Sequence, residues 1–217
     1  MNKSFFVILI VFFFVDFHSF SQTQITNLKC EHVQNPIGLD ETHPRFTWQI
    51  QSEKPGYLQD AFQLVVGTDE QEVASGTGNT WESGTANSST IPAVYNGPDL
   101  QSFTRYFWSV RVKEKNGGWS DWSEAAFFET GLMDQTNWKG KWITDTHDYN
   151  VKPAPYFRKE FNAEKEIESA RAYIAVAGLY ELFINGERIG DHRLDPTYTR
   201  FDRRNLYVTY DITENLQ

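Results

Sequence analysis

The sequence predicts an all-β protein in which one β-sandwich is followed by a second strand-rich unit. Three observations support this prediction. Short stretches alternate apolar and polar residues with the period of two that a half-buried strand requires. Clusters of Gly, Asn, Ser and Pro, which favour turns, separate these stretches. After residue 21, no stretch keeps a helical spacing of apolar residues over about 12 positions.

The first unit, predicted over residues 22–133, shows the clearest alternation. Each of the stretches RFTWQI (45–50), AFQLVVG (61–67) and RYFWSVRVK (105–113) places an apolar side chain at every second position, so that one face of a strand is apolar. AAFFETG (125–131) closes the series. Turn-forming clusters lie between them, at residues 52–56, 74–79, 83–89, 95–99 and 115–118. Short strands and turns in this order, over about 100 residues, are typical of one β-sandwich.

The second unit, predicted over residues 134–217, begins near NWKGKWI (137–143). Strand-like stretches follow at PYFRKEF (155–161), at residues 170–190 and at NLYVTYDI (205–212). Asn185-Gly186 tolerates the positive φ angles of a two-residue turn, so its flanks are expected to pair as a hairpin. EKEIESARAY (164–173) is a candidate for one short, uncapped helical turn.

The first 21 residues have the pattern of a signal peptide. Lys3 precedes an apolar run over 5–15, and Ser19-Phe20-Ser21 supplies the small residues of a cleavage site. The alternative is a buried strand or helix of the fold. We expect cleavage before Gln22, export to the periplasm or the extracellular space, and no membrane anchor, because a span needs roughly 20 apolar residues.

Charge and cysteine content exclude several classes of function. The 217 residues carry a net charge of −9 without a basic cluster, so nucleic acid is not an expected partner. Cys30 is the only cysteine, which excludes an internal disulfide. It is expected to be a small buried side chain rather than a nucleophile.

The order of motifs resembles the N-terminal region of bacterial alpha-L-rhamnosidases, a glycoside-hydrolase family. The resemblance begins with LKCEHVQNPIGLDETHPRFTWQI (28–50). It continues through TWESGT (80–85), RYFWSVRV (105–112), WSDWSEAAFFETGL (119–132), WKGKWI (138–143), YFRKEF (156–161) and residues 178–213. Each motif alone is weak evidence for the family, whereas all of the motifs in this order and spacing are strong evidence for it.

The resemblance implies a fibronectin type III or immunoglobulin-like sandwich followed by the first part of a second, jelly-roll sandwich. It also implies that the catalytic barrel, an (α/α)6 toroid bearing the acid and base of an inverting mechanism, lies beyond residue 217. No catalytic residue can therefore be assigned. The resemblance does not decide whether this chain alone catalyses a reaction. The implied partners are that barrel, in the same polypeptide, and a rhamnose-containing glycan bound through the full-length enzyme. No cofactor is expected; calcium is compatible, without ligands that we can place.

GDHRLDPTYTRFDRR (190–204) is the candidate sugar-binding stretch. Asp191, Asp195, Tyr198 and Arg200 combine carboxylates that accept sugar hydroxyls with an aromatic surface and a cation. The alternative is a packing loop held by internal salt bridges. A stand-alone carbohydrate-binding or adhesion module is accordingly the second functional hypothesis, beside the non-catalytic region of an exported hydrolase.

Trp119-Ser120-Asp121-Trp122-Ser123 resembles the signature of cytokine-receptor ectodomains. Such receptor domains have paired cysteines, which this chain lacks, so we interpret the motif as structural. Arg105, Arg111 and Lys113 share the outward face of the predicted strand 105–113. We expect Trp119 or Trp122 to lie within about 6 Å of one of these cations.

Overall fold

The structure is a computed structural model that describes residues 23–89, 91–146, 150 and 154–216. The predicted signal peptide lies outside the described residues, so cleavage and export stay predictions. Within the described ranges, no helix is both long and apolar enough to cross a membrane.

The first module, as we call residues 22–133, forms two antiparallel sheets. Its described strands are β1 (Gln24–Cys30), β2 (Arg45–Gln51), β3 (Gln59–Gly67), β4 (Trp81–Glu82), β5 (Ala93–Val94), β6 (Arg105–Glu114) and β7 (Ala126–Glu129). One sheet has the strand order β1-β2-β5 and the other β4-β3-β6-β7. The immunoglobulin-like sandwich predicted from the sequence is confirmed.

Alternating side chains of both sheets meet in one aromatic core. The Phe46 ring lies 4.7 Å from Trp108 and 5.8 Å from Phe128, measured between centroids. Tyr106 stacks on Phe128 at 5.3 Å. Burial of each such side chain stabilises the fold by about 1.5–3 kcal/mol, so this cluster dominates the stability of the module.

One residue of β6 departs from the predicted alternation. Ser109 lies on the outward face and yet is fully buried. The helix α1 (Glu70–Ala74) covers this part of the sheet, and the Ser109 hydroxyl donates to the Val73 carbonyl at 2.6 Å. Asp69 caps the helix by accepting from the Glu72 backbone N–H at 2.9 Å.

The described part of the second module, as we call residues 134–217, contains two ribbons of two strands each. β8 (Arg171–Ala175) pairs with β11 (Tyr207–Asp211), and β9 (Leu182–Ile184) pairs with β10 (Glu187–Ile189). Asn185 and Gly186 have φ angles of 51° and 86° at the tip of the second ribbon, which confirms the predicted hairpin.

Two local predictions for the second module, a strand at residues 155–161 and a helical turn at residues 164–173, are wrong. PYFRKEF (155–161) alternates like a strand but forms none, and Tyr156 is fully exposed. NWKGKWI (137–143) contains only the end of a 3-10 turn, η1 (Gln135–Asn137). EKEIESARAY (164–173) forms no helix, since its last residues belong to β8. A strand needs a neighbour for its backbone groups, and none of the described strands pairs with residues 155–161.

Candidate functional site

Asp195 is the one candidate sugar-binding residue that is tied to the strands of the second module. Its side chain is mostly buried and accepts a hydrogen bond from the Tyr210 hydroxyl at 2.8 Å. The Tyr180 hydroxyl donates in turn to the Tyr210 oxygen at 2.9 Å. Burial raises the pKa of both tyrosines, so they stay protonated donors at neutral pH. A polar chain Tyr180–Tyr210–Asp195 therefore anchors the loop.

The other three candidates lie on the surface of the 190–204 loop. Asp191 and Tyr198 are strongly exposed, and the Tyr198 ring contacts Phe201 at 5.2 Å. Arg200 forms an ion pair with Asp202, with Nε 2.9 Å from Oδ1. These contacts are local to the loop, as the packing-loop alternative also requires. The sugar-binding assignment of this loop stays a prediction.

The Trp-Ser-Asp-Trp-Ser segment (119–123) runs beside β6 as an irregular edge. The backbone N–H groups of Ser120 and Ser123 donate to the carbonyls of Val112 and Val110 at 2.8 and 2.9 Å. The two serine hydroxyls accept from the N–H groups of the same valines, both at 3.1 Å. The serines of the motif thus satisfy backbone groups of β6 that a regular neighbouring strand would pair.

This path places both tryptophan rings over Arg111. Its guanidinium carbon lies 5.1 Å from the Trp119 ring centroid and 4.8 Å from the Trp122 centroid. Arg111 Nε also donates to Gln63 Oε1 at 2.7 Å, which fixes the orientation of the guanidinium. Because the contacts are internal to the module, the motif has a structural role here.

The two other predicted cations lie elsewhere on β6. Arg105 is at the start of the strand, and its guanidinium lies over the Phe127 ring at 4.3 Å. Lys113 faces Trp119 through an isolated backbone bridge. Alternation placed all three cations on one face, but the position along the strand decides which of them the tryptophan rings reach.

Replacing Arg111 with methionine is expected to lower the free energy of unfolding by about 1–2 kcal/mol, because each stack contributes about 0.5–1 kcal/mol. Urea unfolding followed by tryptophan fluorescence measures this loss. Lys113→Met on the same strand is the matched control, with an expected change within about 0.5 kcal/mol. Equal losses in the two variants would contradict the stacked arrangement.

A buried carboxylate joins the two modules. Glu129 at the end of β7 accepts from Arg105 Nη2 at 3.1 Å, and from Arg171 Nε and Nη2 at 2.7 and 2.9 Å. Only 8% of its side chain is exposed, and only 11% of that of Arg171. Asp211 on β11 pairs with the remaining Arg171 nitrogen at 2.9 Å. Two guanidinium groups thus hold one carboxylate across the junction, with strong charge-assisted bonds.

Tyr207 makes a second connection between the modules. Its hydroxyl donates to Asp40 Oδ2 at 2.8 Å and accepts from the Leu132 N–H at 3.2 Å. Beside it, Thr209 packs so closely on Gly38 that a Cβ at that glycine would lie 2.1 Å from the threonine Oγ1. Glycine at position 38 is therefore required by the approach of the two modules as well as by its φ of 74°.

Burial raises the pKa of Tyr207 well above its ordinary value; the Leu132 N–H opposes the shift, and the Asp40 carboxylate adds to it. Unfolded tyrosine ionises near pH 10. Above that pH the unfolded chain binds fewer protons than the folded chain, so stability is complete below about pH 10 and falls as pH rises. Urea unfolding between about pH 9 and 11 should show this decline, less steeply in Tyr207→Phe. Tyr198→Phe, on the surface, is the control, and an equal flattening there would contradict the assignment.

The junction residues escaped the sequence analysis, apart from Arg105. Glu129 and Arg171 lie 42 positions apart. Glu129 belongs to the motif WSDWSEAAFFETGL (119–132), but that motif does not indicate a partner for its carboxylate. The available signal was a charged residue inside a strand of otherwise apolar character, as in ARAYIAVA (170–177). Such a residue is consistent with a solvated edge as well as with a buried ion pair, so the signal was not decisive.

The described residues contain no group of three or more His, Cys, Asp or Glu side chains placed to hold a metal ion. The calcium compatible with the sequence resemblance therefore stays without assigned ligands. Cys30 is buried in the first module, and burial raises the pKa of its thiol. It is accordingly a neutral core side chain rather than an activated nucleophile.

The fold and its junction define an immunoglobulin-like β-sandwich module fixed to a second β module. The chain belongs to the family of the Rha78A-like N-terminal immunoglobulin domain, whose profile matches residues 25–134. The alpha-L-rhamnosidase N-terminal domain matches residues 165–217. The chain is thus related to the N-terminal region of alpha-L-rhamnosidases, as the order of its motifs predicts.

Individual relatives agree with the family. An alpha-L-rhamnosidase of Formosa agariphila is 37% identical over 205 residues, which cover 84% of this chain and 22% of the relative. The structure of alpha-L-rhamnosidase from Dictyoglumus thermophilum is 39% identical, with a TM-score of 0.82, over 89% of this chain and 24% of that one.

The Streptomyces avermitilis alpha-L-rhamnosidase, solved in complex with L-rhamnose, is 28% identical, with a TM-score of 0.55, over 90% of this chain and 21% of that one. The chain therefore spans about a fifth to a quarter of the length of these relatives.

Proposed function

We propose that this chain acts as the non-catalytic N-terminal region of an exported alpha-L-rhamnosidase that removes terminal alpha-L-rhamnose from glycans. One observation carries this proposal: two N-terminal domain families of these enzymes match the chain one after the other, at residues 25–134 and 165–217. The match covers about a quarter of the relatives' length or less. In this proposal, the catalytic barrel corresponds to the remaining part of those relatives.

The junction supports a role in holding the enzyme together. Glu129, Arg105 and Arg171 form a mostly buried network, and Tyr207 reaches Asp40 from the other module. Buried ionic contacts need well-defined geometry, because an unpaired charge in the same place is strongly destabilising. The two modules are accordingly expected to act as one rigid support for a catalytic barrel.

A chimera tests this role. In the Formosa agariphila relative, the matching N-terminal region is replaced by residues 23–217 of this chain, and hydrolysis of p-nitrophenyl alpha-L-rhamnoside is measured. We expect a folded chimera that retains hydrolysis, whereas the chain alone gives no turnover. The unmodified relative and a version without the N-terminal region serve as controls.

Two results would overturn the proposal. Rhamnoside hydrolysis by the chain alone would place catalytic residues within these modules. A folded but inactive chimera, next to an active unmodified relative, would show that the region does not support that catalytic part. In the second case, a stand-alone carbohydrate-binding module becomes the better description.

Export is tested separately in a Gram-negative host. Mass spectrometry of the mature protein should give a chain that begins at Gln22, outside the cytoplasm. Ile10→Arg interrupts the apolar run over 5–15 and is expected to leave the uncleaved chain in the cytoplasm. Recovery of full-length protein from the periplasm, still carrying Met1, would contradict the predicted cleavage.

A further inference from the structure

A cleft of about 540 Å³ opens between the two modules, next to the ion-pair network of the junction. The first module contributes Phe103, Arg105 and Glu129, and the second contributes Glu168, Ser169 and Tyr173. Its volume falls within the range of about 300–1,000 Å³ that small-molecule sites occupy, and such sites prefer domain interfaces. The cleft is separate from the 190–204 loop.

An aromatic wall forms one side of this cleft. Phe103 is 48% exposed, and its ring contacts Tyr173 of the other module edge-on, with centroids 5.3 Å apart. The Phe103 backbone has a φ of 55°, a left-handed conformation that is unfavourable for an aromatic residue. A hydrogen bond from its N–H to the Gly131 carbonyl, at 3.0 Å, holds it there. The chain thus keeps a large apolar ring at the surface, on a strained backbone, and such strain is concentrated at functional sites.

Polar groups with balanced charge form the other side. The guanidinium groups of Arg105 and Arg171 are paired with Glu129. Glu168 and Ser169 are exposed at the rim and add a carboxylate and a hydroxyl. The lining holds two cations and two carboxylates, and Asp211 pairs with Arg171 from outside it, so no excess positive charge is left to attract an anion. The cleft therefore offers donors and acceptors beside an apolar surface, which suits a neutral ligand with several hydroxyl groups.

We infer that this junction cleft binds a neutral sugar unit. The C–H face of the sugar would lie on Phe103. Its hydroxyls would donate to Glu168, exchange hydrogen bonds with Ser169 and accept from Arg105. This inference rests on the proposed function, which supplies a glycan as the ligand source. It adds a place where the non-catalytic modules hold that glycan, apart from any catalytic site.

Titration of the isotope-labelled mature chain with L-rhamnose, followed by amide NMR shifts, tests the cleft. We expect saturable shifts at Phe103, Ser169 and Tyr173, with a dissociation constant on the order of millimolar. Phe103→Ala removes the stacking surface and is expected to weaken binding about two- to ten-fold. Glu168→Gln, an exposed substitution that does not threaten folding, should weaken it as well.

Tyr156→Ala is the matched control, because it removes a fully exposed aromatic ring that lies outside both the cleft and the 190–204 loop, and it should leave the affinity unchanged. Loss of binding in Tyr198→Ala, with normal binding in Phe103→Ala and Glu168→Gln, would overturn the cleft in favour of the loop. Absence of shifts up to about 100 mM L-rhamnose, or equal binding of D-glucuronate, would also overturn it. The chimera assay with a small aryl rhamnoside does not require this cleft, so failure here leaves the proposed function standing.

Discussion

Replacing Glu129 with alanine is expected to lower the free energy of unfolding by about 3–5 kcal/mol, the usual loss when one partner of a buried ion pair is removed. The variant leaves Arg171 without its main partner, although only 11% of that side chain reaches solvent. Arg105 loses the same carboxylate. Urea unfolding at neutral pH measures the loss, and we expect the second module to unfold first.

Two further variants separate the buried network from ion pairs in general. Glu160→Ala breaks an Arg–Glu pair in which both side chains are at least 80% exposed, and should cost less than about 1 kcal/mol. Arg171→Met in the Glu129→Ala background removes a buried charge that only the half-exposed Asp211 still pairs, so part of the stability should return. A loss below about 1 kcal/mol for Glu129→Ala would show that the network does not stabilise the junction.

The first module was predictable from the sequence because one face of each strand is buried. Phe46 and Trp48 alternate with polar residues in β2, and both are buried where the pattern places them. Burial of a single face imposes a period of two on the residues, which a sequence displays directly. Ser109 escaped the pattern because α1 covers its face, and coverage by another element leaves no periodic signal.

The second module was predictable only where a local rule sufficed. Asn185-Gly186 specifies its hairpin through backbone conformation alone. Residues 155–161 alternate equally well, yet form no strand, because strand formation depends on a neighbour that their own sequence does not specify. Alternation of apolar and polar residues therefore shows that a segment is able to form a strand. Whether it does so depends on a neighbouring strand, which only the structure reveals.

In the candidate sites too, contacts between residues close in sequence were predictable, and contacts between distant residues were not. The stacking of Arg111 between two tryptophan rings involves residues close in sequence, so spacing made it predictable. The pairing of Glu129 with Arg171 joins strands of different modules, and no local pattern announces such a contact. In the 190–204 loop, composition alone could not separate the anchored Asp195 from the exposed Tyr198.

Two glycines with nearly equal φ angles allow the contact between the modules to be measured on its own. Gly38 and Gly56 have φ angles of 74° and 73°, so alanine imposes the same backbone strain, about 1–2 kcal/mol, at both positions. Nothing lies within 4 Å of a Cβ at Gly56, whereas at Gly38 it would lie 2.1 Å from Thr209 Oγ1. Gly38→Ala is therefore expected to cost about 1–3 kcal/mol more than Gly56→Ala.

Thr209→Ala provides the test of this explanation. It removes Oγ1 and Cγ2 but keeps Cβ, which would still lie 2.6 Å from the new methyl group. Gly38→Ala should therefore cost less in that background without losing its whole penalty, while the cost of Gly56→Ala stays unchanged. Thr209 Oγ1 is buried and lacks a hydrogen-bond partner among the described residues, so its removal should itself cost little. Equal losses for the two glycine variants in the wild-type background would show that Gly38 and Thr209 do not meet, and that the second module does not pack on the first at this point.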